Sequence, residues 1–178
     1  MKRPAILRAA CLLFACLCLA GAQAADWTVS LRGVGPIRLG MSLEQIRRVL
    51  GDAEARLTGN EPDVPLSECA YLESARLPPS LNLMFEDGHL VRIDVHDYQI
   101  KTSAGARIGD SEARIKKLYS GRITVQPHAY EDGGHYLQYL PPGKAEPKWG
   151  IVFETDGQRV TSFRMGTLDA IALVEGCS

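Results

Sequence analysis

The sequence predicts an α+β fold of two tandem repeats, each a short helix packed on an antiparallel sheet of hairpins. Three observations predict it: self-similarity at an offset of 69 residues, a serine-capped amphipathic segment opening each half, and strand pairs joined by Asp-Gly turns. At that offset Gly40, Ser42, Ile46 and Val49 meet Gly109, Ser111, Ile115 and Leu118, and Arg47-Arg48 meets Lys116-Lys117. Further on, Asp87-Gly88 and Val91 meet Asp156-Gly157 and Val160. Two separated blocks sharing one offset point to a duplication. The first unit runs over 25–98 and the second over 99–178, together one compact mature domain behind a leader at 1–24.

The leader comes first in the chain. Lys2, Arg3 and Arg8 form a positive segment, residues 9–20 are almost wholly apolar, and Ala22-Gln23-Ala24 supplies the small-x-small cleavage pattern. The apolar run is 12 residues, whereas a spanning helix needs ~20. Leu13-Phe14-Ala15-Cys16 loosely resembles a lipobox, but Phe14 is bulky for it and the alanine pair is the better-known cut. The expected mature chain starts at Ala25 and works in the periplasm or outside the cell.

In the first unit, Trp27 to Leu31 alternates as a strand and Val34 to Leu39 reads as another. Ser42 with Gln45 forms a capping box, Leu43, Ile46, Val49 and Leu50 make one apolar face, and Gly51 suits the left-handed end of the helix. Cys69 to Glu73 reads as a strand, and Pro78-Pro79 marks the gap that follows. Asn82 to Glu86 and His89 to Val95 flank Asp87-Gly88, a two-residue type I′ hairpin signal.

The second unit repeats this plan. Ser111 opens a helix burying Ile115, Leu118 and Tyr119. The Gly-Asp-Ser triplet it belongs to is therefore read as a cap and not as a nucleophile. Strands follow at 135–140, 150–154 and 159–164, with Pro141-Pro142 between the first two. Alternation fails in the last, where Phe163 and Met165 fall opposite Val160, and a bulge near Ser162 would restore it.

Three of the five cysteines leave with the leader, and Cys69 with Cys177 remain. In an oxidising compartment two such residues are expected to pair as a disulfide, and neither lies in a CxxC or His-rich spacing. Removing three basic residues from 20 leaves 17 against 21 acidic ones, a net charge of −4. A mildly acidic chain without a basic stripe argues against nucleic acid and anionic membrane surfaces as partners.

Chemistry is sparse. The mature chain has no Gly-x-Ser-x-Gly elbow and no phosphate-cradling glycine loop. His128, Glu131, Asp132 and His135 lie within eight residues, but their setting reads as a solvated turn, so no metal is expected. No catalytic residue and no cofactor is expected. Tyr130, His135, Tyr136 and Tyr139 form an aromatic strip and are the candidate partner-binding residues. Alternation over 135–140 requires either Tyr136, or His135 and Tyr139, to face the core.

The string from Gly35 to Gly51, with its Gly40-Met41-Ser42 helix start, resembles the opening of exported bacterial domains. These are of the β-lactamase inhibitory protein type and the BamE/SmpA outer-membrane assembly lipoprotein type. The segments 102–111, 127–130, 153–157 and 174–177 are similar to a further group of exported bacterial proteins. The resemblance implies two helix-plus-sheet units that bind another protein. It assigns no binding residue, because the inhibitory protein closes a disulfide within each repeat whereas Cys69 and Cys177 would bridge the two. The expected function is a non-enzymatic adaptor or inhibitor whose partner is another envelope protein. A ligand or glycan binder is the alternative, and a hydrolase ranks last.

Intact-mass analysis of the exported protein is expected to give a chain starting at Ala25. A mass corresponding to a lipidated Cys16 or to retention of residues 1–24 would refute the cleavage assignment.

Overall fold

The computed structural model describes residues 26–59, 65–143 and 148–177. The leader, Cys16 and the Ala24–Ala25 junction lie outside the described residues. The fold is α+β, with antiparallel sheets and few helices.

Three two-residue strands open it: β1 (Val29–Ser30), β2 (Gly33–Val34) and β3 (Ile37–Arg38), forming a small meander. Helix α1 (Leu43–Leu50) follows, then β4 (Arg56–Thr58), β5 (Ala70–Glu73), β6 (Leu81–Glu86) and β7 (His89–Val95). After α2 (Glu112–Leu118) come β8 (Ile123–Pro127), β9 (His135–Tyr139), β10 (Trp149–Thr155) and β11 (Val160–Thr167). The short helix α3 (Leu168–Ala172) ends the regular structure. Strands β4 to β11 make one eight-stranded sheet in the order β4-β5-β6-β7-β11-β10-β9-β8.

Local chemistry explains these elements. The Ser42 hydroxyl accepts from the Gln45 backbone N–H at 3.4 Å, and the Gln45 side chain accepts from the Ser42 N–H at 2.8 Å. Two of the orphan donors of α1 are thereby satisfied. The Ser111 hydroxyl caps α2 in the same manner, accepting from Arg114 at 3.3 Å. Asp87 and Gly88 carry φ of 49° and 74°, the paired positive values that a type I′ hairpin requires.

Strands β7 and β11 join at the sheet centre, with Val95, Asp94, Ile93 and Arg92 opposite Phe163, Arg164, Met165 and Gly166. Alternation sends Ile93, Val95, Phe163 and Met165 to one face. There they meet Leu83, Phe85, Phe153, helix residues Ile46 and Ile115, and Val29, Val34 and Ile37 of the meander. Each such buried side chain contributes roughly 1.5–3 kcal/mol of transfer free energy. The opposite face carries Arg92, Asp94 and Arg164, and α3 packs there. At Gly150 on β10, a Cβ would stand 2.8 Å from the Ile171 Cδ1 of α3 and from the Leu140 Cδ2, so a larger residue would make these side-chain ends shift.

The sheet bulges at the expected place. Glu154 pairs with Ser162 but Thr155 pairs with Val160, leaving Thr161 as the extra residue. Phe163 and Met165 are thereby returned to the core face with Val160. A matching irregularity leaves Val91 unpaired in β7.

Several expectations need correction. Val49 is 42% exposed and does not join the buried face of α1. At 100° per residue, Leu43 and Leu50 both lie on one side of the fully buried Ile46, and Val49 lies on the other. The strand expected over Trp27 to Leu31 is only Val29–Ser30. Strands β4 and β8 were not expected; both are short outer strands whose exposure leaves no apolar alternation to read. Helix α3 has five residues, too few to show a period. No helix among the described residues is long and apolar enough to cross a membrane.

Cys69 and Cys177 meet as a disulfide, with Cα atoms 5.5 Å apart and 108 residues apart in sequence. It ties the chain just before β5 to the tail beyond α3. A loop of this length corresponds to ~4.7 kcal/mol of denatured-state entropy in the chain-entropy model. The double variant Cys69→Ser/Cys177→Ser is expected to lose about 2–5 kcal/mol in urea unfolding. A loss under about 0.5 kcal/mol would show that the tail holds without the bond.

Candidate functional site

The face opposite the main core is built around buried charge. Arg92, Asp94 and Arg164 are all under a tenth exposed. Arg92 Nε donates to both Asp94 carboxylate oxygens at 2.8 and 3.0 Å, and Nη2 donates to Oδ1 at 2.6 Å. Arg92 Nη1 reaches the carbonyls of Ala170 (3.0 Å) and Leu173. Arg164 Nε donates to the Ile171 carbonyl at 2.8 Å, and its Nη1 pairs with Glu154. The last carbonyls of α3 therefore rest on two guanidinium groups, the favourable charge for the negative end of a helix. Charge-assisted bonds on every side are what permit these ions to be buried.

The four sequence candidates divide between the two faces. Tyr136 faces the charged side, where the Arg164 guanidinium lies 5.5 Å from its ring centre. His128 stacks on the same ring at 4.4 Å. Tyr136 is only 8% exposed, so it is packed in place and is not a free contact surface. Tyr130 is 70% exposed, and its hydroxyl bonds Glu175 of the tail. That bond, and the negative charge behind it, push the Tyr130 phenol up from its ordinary value. His135 and Tyr139 lie on the helix side: His135 Nδ1 stands 2.7 Å from Glu112 Oε1, and the Tyr139 ring packs 4.4 Å from that of Tyr119. The strip is therefore not one surface, because neighbouring strand residues point to opposite faces.

Around Tyr130 the structure forms an open groove of about 420 Å³, lined by Glu86, Tyr130, Leu173, Val174, Glu175 and the Cys69–Cys177 pair. Leu173 is 43% and Val174 36% exposed, so three large apolar or aromatic side chains share this rim. Burial raises the Glu86 carboxyl above its usual range, and the nearby charges of Asp87 and Asp169 push the same way against Arg92. The reading of the residues missed Glu86, Leu173, Val174 and Glu175. Their only signal was exposed apolar residues beside the last cysteine.

Reactive groups are occupied structurally. The Ser111 hydroxyl is a helix cap and that of Ser162 bonds Glu154 at 3.1 Å. His128 Nδ1 accepts from the N–H groups of Tyr130 and Glu131, each at 3.1 Å, and its Nε2 lies 3.7 Å from Glu154. His128 and His135 thus serve separate faces. Among the described residues no three His, Cys, Asp or Glu side chains converge on one point.

A polar lock fixes α2 to the sheet. Glu112 Oε1 accepts from Thr155 Oγ1 at 2.7 Å as well as meeting His135, and Glu112 Oε2 lies 3.2 Å from Lys116 Nζ. Burial pushes the Glu112 carboxyl up, but the bonds from Thr155, His135 and Lys116 together outweigh it and hold it below the usual range. A depressed carboxyl contributes stability above its unfolded value and loses it as pH falls through the folded one. Glu112→Gln is therefore expected to lower Tm at pH 7, with the gap to the parent narrowing on acidification through the carboxylate range. A gap constant with pH would place the effect in packing alone.

No family of known proteins matches this chain by its sequence pattern, and no curated protein matches it. Among solved structures, the chain is similar to the uncharacterized protein yfeY from Escherichia coli. That match has 16% identity and a TM-score of 0.47, covering 78% of this chain and 99% of the other.

Proposed function

We propose that the protein is a non-enzymatic binding module of the bacterial envelope that docks another envelope protein on the groove beside its C-terminal tail. The observation that carries this reading is the groove rim. Tyr130, Leu173 and Val174 are exposed together around one concavity with the carboxylates of Glu86 and Glu175. An aromatic anchor with a polar tip, flanked by aliphatic contacts and polar rim groups, is the composition of protein interfaces. The disulfide and the two arginines hold this rim in place, which reduces the ordering cost of association. Export by residues 1–24 belongs to the same reading and is supported by the leader and the cysteine pair.

The tandem duplication is part of the proposal. Its support is the 69-residue offset, the two serine-capped helices, and a sheet in which β4 to β7 are followed from the centre outward by β11 to β8. The resemblance to exported bacterial inhibitor and assembly proteins belongs here too.

A photo-crosslinking residue placed at Tyr130 tests the reading, with Tyr98 as the control. Both positions are 70% exposed and only Tyr130 lines the groove. Position 130 is expected to yield a discrete protein adduct in envelope extracts and position 98 none. Equal labelling at both, or none at 130, would move the interface elsewhere.

A further inference from the structure

A second concavity lies on the helix side of the sheet, of about 200 Å³, where the meander, the linker between the halves, α2 and the ends of β9 and β10 meet. Its lining joins Leu31, Leu118 and Ile151 to the rings of Tyr119 and Tyr139, which pack 4.4 Å apart. The Tyr119 hydroxyl donates a hydrogen bond to Thr102 Oγ1 at 2.9 Å, and burial pushes its phenol up to about 12, so it stays neutral. Arg122 also lines the cavity; it is exposed and forms no ion pair or side-chain hydrogen bond among the described residues. Beside it Ser120 (φ 49°) and Gly121 (φ 72°) end α2 in a left-handed turn, their N–H groups donating to the Lys117 and Lys116 carbonyls.

We infer that this cavity is a binding site for a small monocarboxylate carrying one aromatic ring or a branched aliphatic group. The apolar part enters between Tyr119, Tyr139 and the aliphatic side chains. The carboxylate meets the Arg122 guanidinium, whose planar fork matches two oxygens at once. Ligand sites favour junctions between structural units with an apolar floor and few placed polar groups. The hollow of about 200 Å³ has room for roughly one ring and a short chain. This site stands apart from the groove: no residue lines both, so either can fail without the other.

The test is titration of the exported, purified protein with 3-phenylpropanoate, followed by amide NMR shifts. Saturable shifts are expected at Ala104, Ser120, Arg122 and Tyr139, with Tyr130 and Glu175 unmoved. Replacing the acid by neutral 3-phenylpropanamide is expected to weaken binding about tenfold, as is Arg122→Gln, since a charge-assisted bond is lost in each case. The amide comparison uses the unaltered protein and does not depend on a variant's folding. Absence of saturation, equal affinity for acid and amide, or shifts centred away from the cavity would overturn the assignment.

Discussion

The pairing of β7 with β11 places Arg92, Asp94 and Arg164 side by side on the one face of the sheet that the two longer helices do not cover. Burying unpaired ions costs roughly several kcal/mol each, so these groups must be satisfied where they stand. Asp94 answers Arg92, Glu154 answers Arg164, and the carbonyls of Ala170, Ile171 and Leu173 take the remaining donors. The position of α3 follows from that requirement. So does the course of the tail, which the disulfide then fastens beside β5.

Once the tail is fixed, its side chains acquire a definite role. The Leu173 carbonyl is held by the Arg92 guanidinium, and the Leu173 and Val174 side chains are exposed. They stay at the surface beside Tyr130, and Glu175 bonds that tyrosine across the groove. The charged centre of the sheet and the apolar rim thus share one cause. Removing Arg92 would leave Asp94 and the carbonyls of Ala170 and Leu173 without the donor that meets them here.

The two faces divide the chemistry. The charged face carries the groove proposed for a macromolecular partner, with an open rim suited to large contact area. The helix face carries the small, partly open hollow beside Tyr139 that is proposed for a small carboxylate. The bulges at Val91 and Thr161 make this division possible, because each shifts the phase of its strand by one residue. Without the second, Phe163 and Met165 would face the arginines of the tail side.

The sequence alone determined the serine caps of α1 and α2, the Asp87-Gly88 hairpin and the core strands, because each is set by near neighbours in the chain. It offered a bulge near Ser162 only as what would restore alternation, and gave no sign of the one at Val91. At 135–140 it left open whether Tyr136, or His135 and Tyr139, faces the core. The tertiary structure covers both faces: Tyr136 packs with Val152 and Ile171 of α3, and Tyr139 against the main core. The edge strands β4 and β8 and the helix α3 left no trace, being too exposed or too short to impose a period. Nothing in the sequence marks Arg92 and Arg164 as buried, because the α3 carbonyls that meet them arrive only in the folded sheet. The groove was illegible for the same reason: it joins Glu86, Tyr130 and residues 173–177, which are brought together only by sheet order and the disulfide.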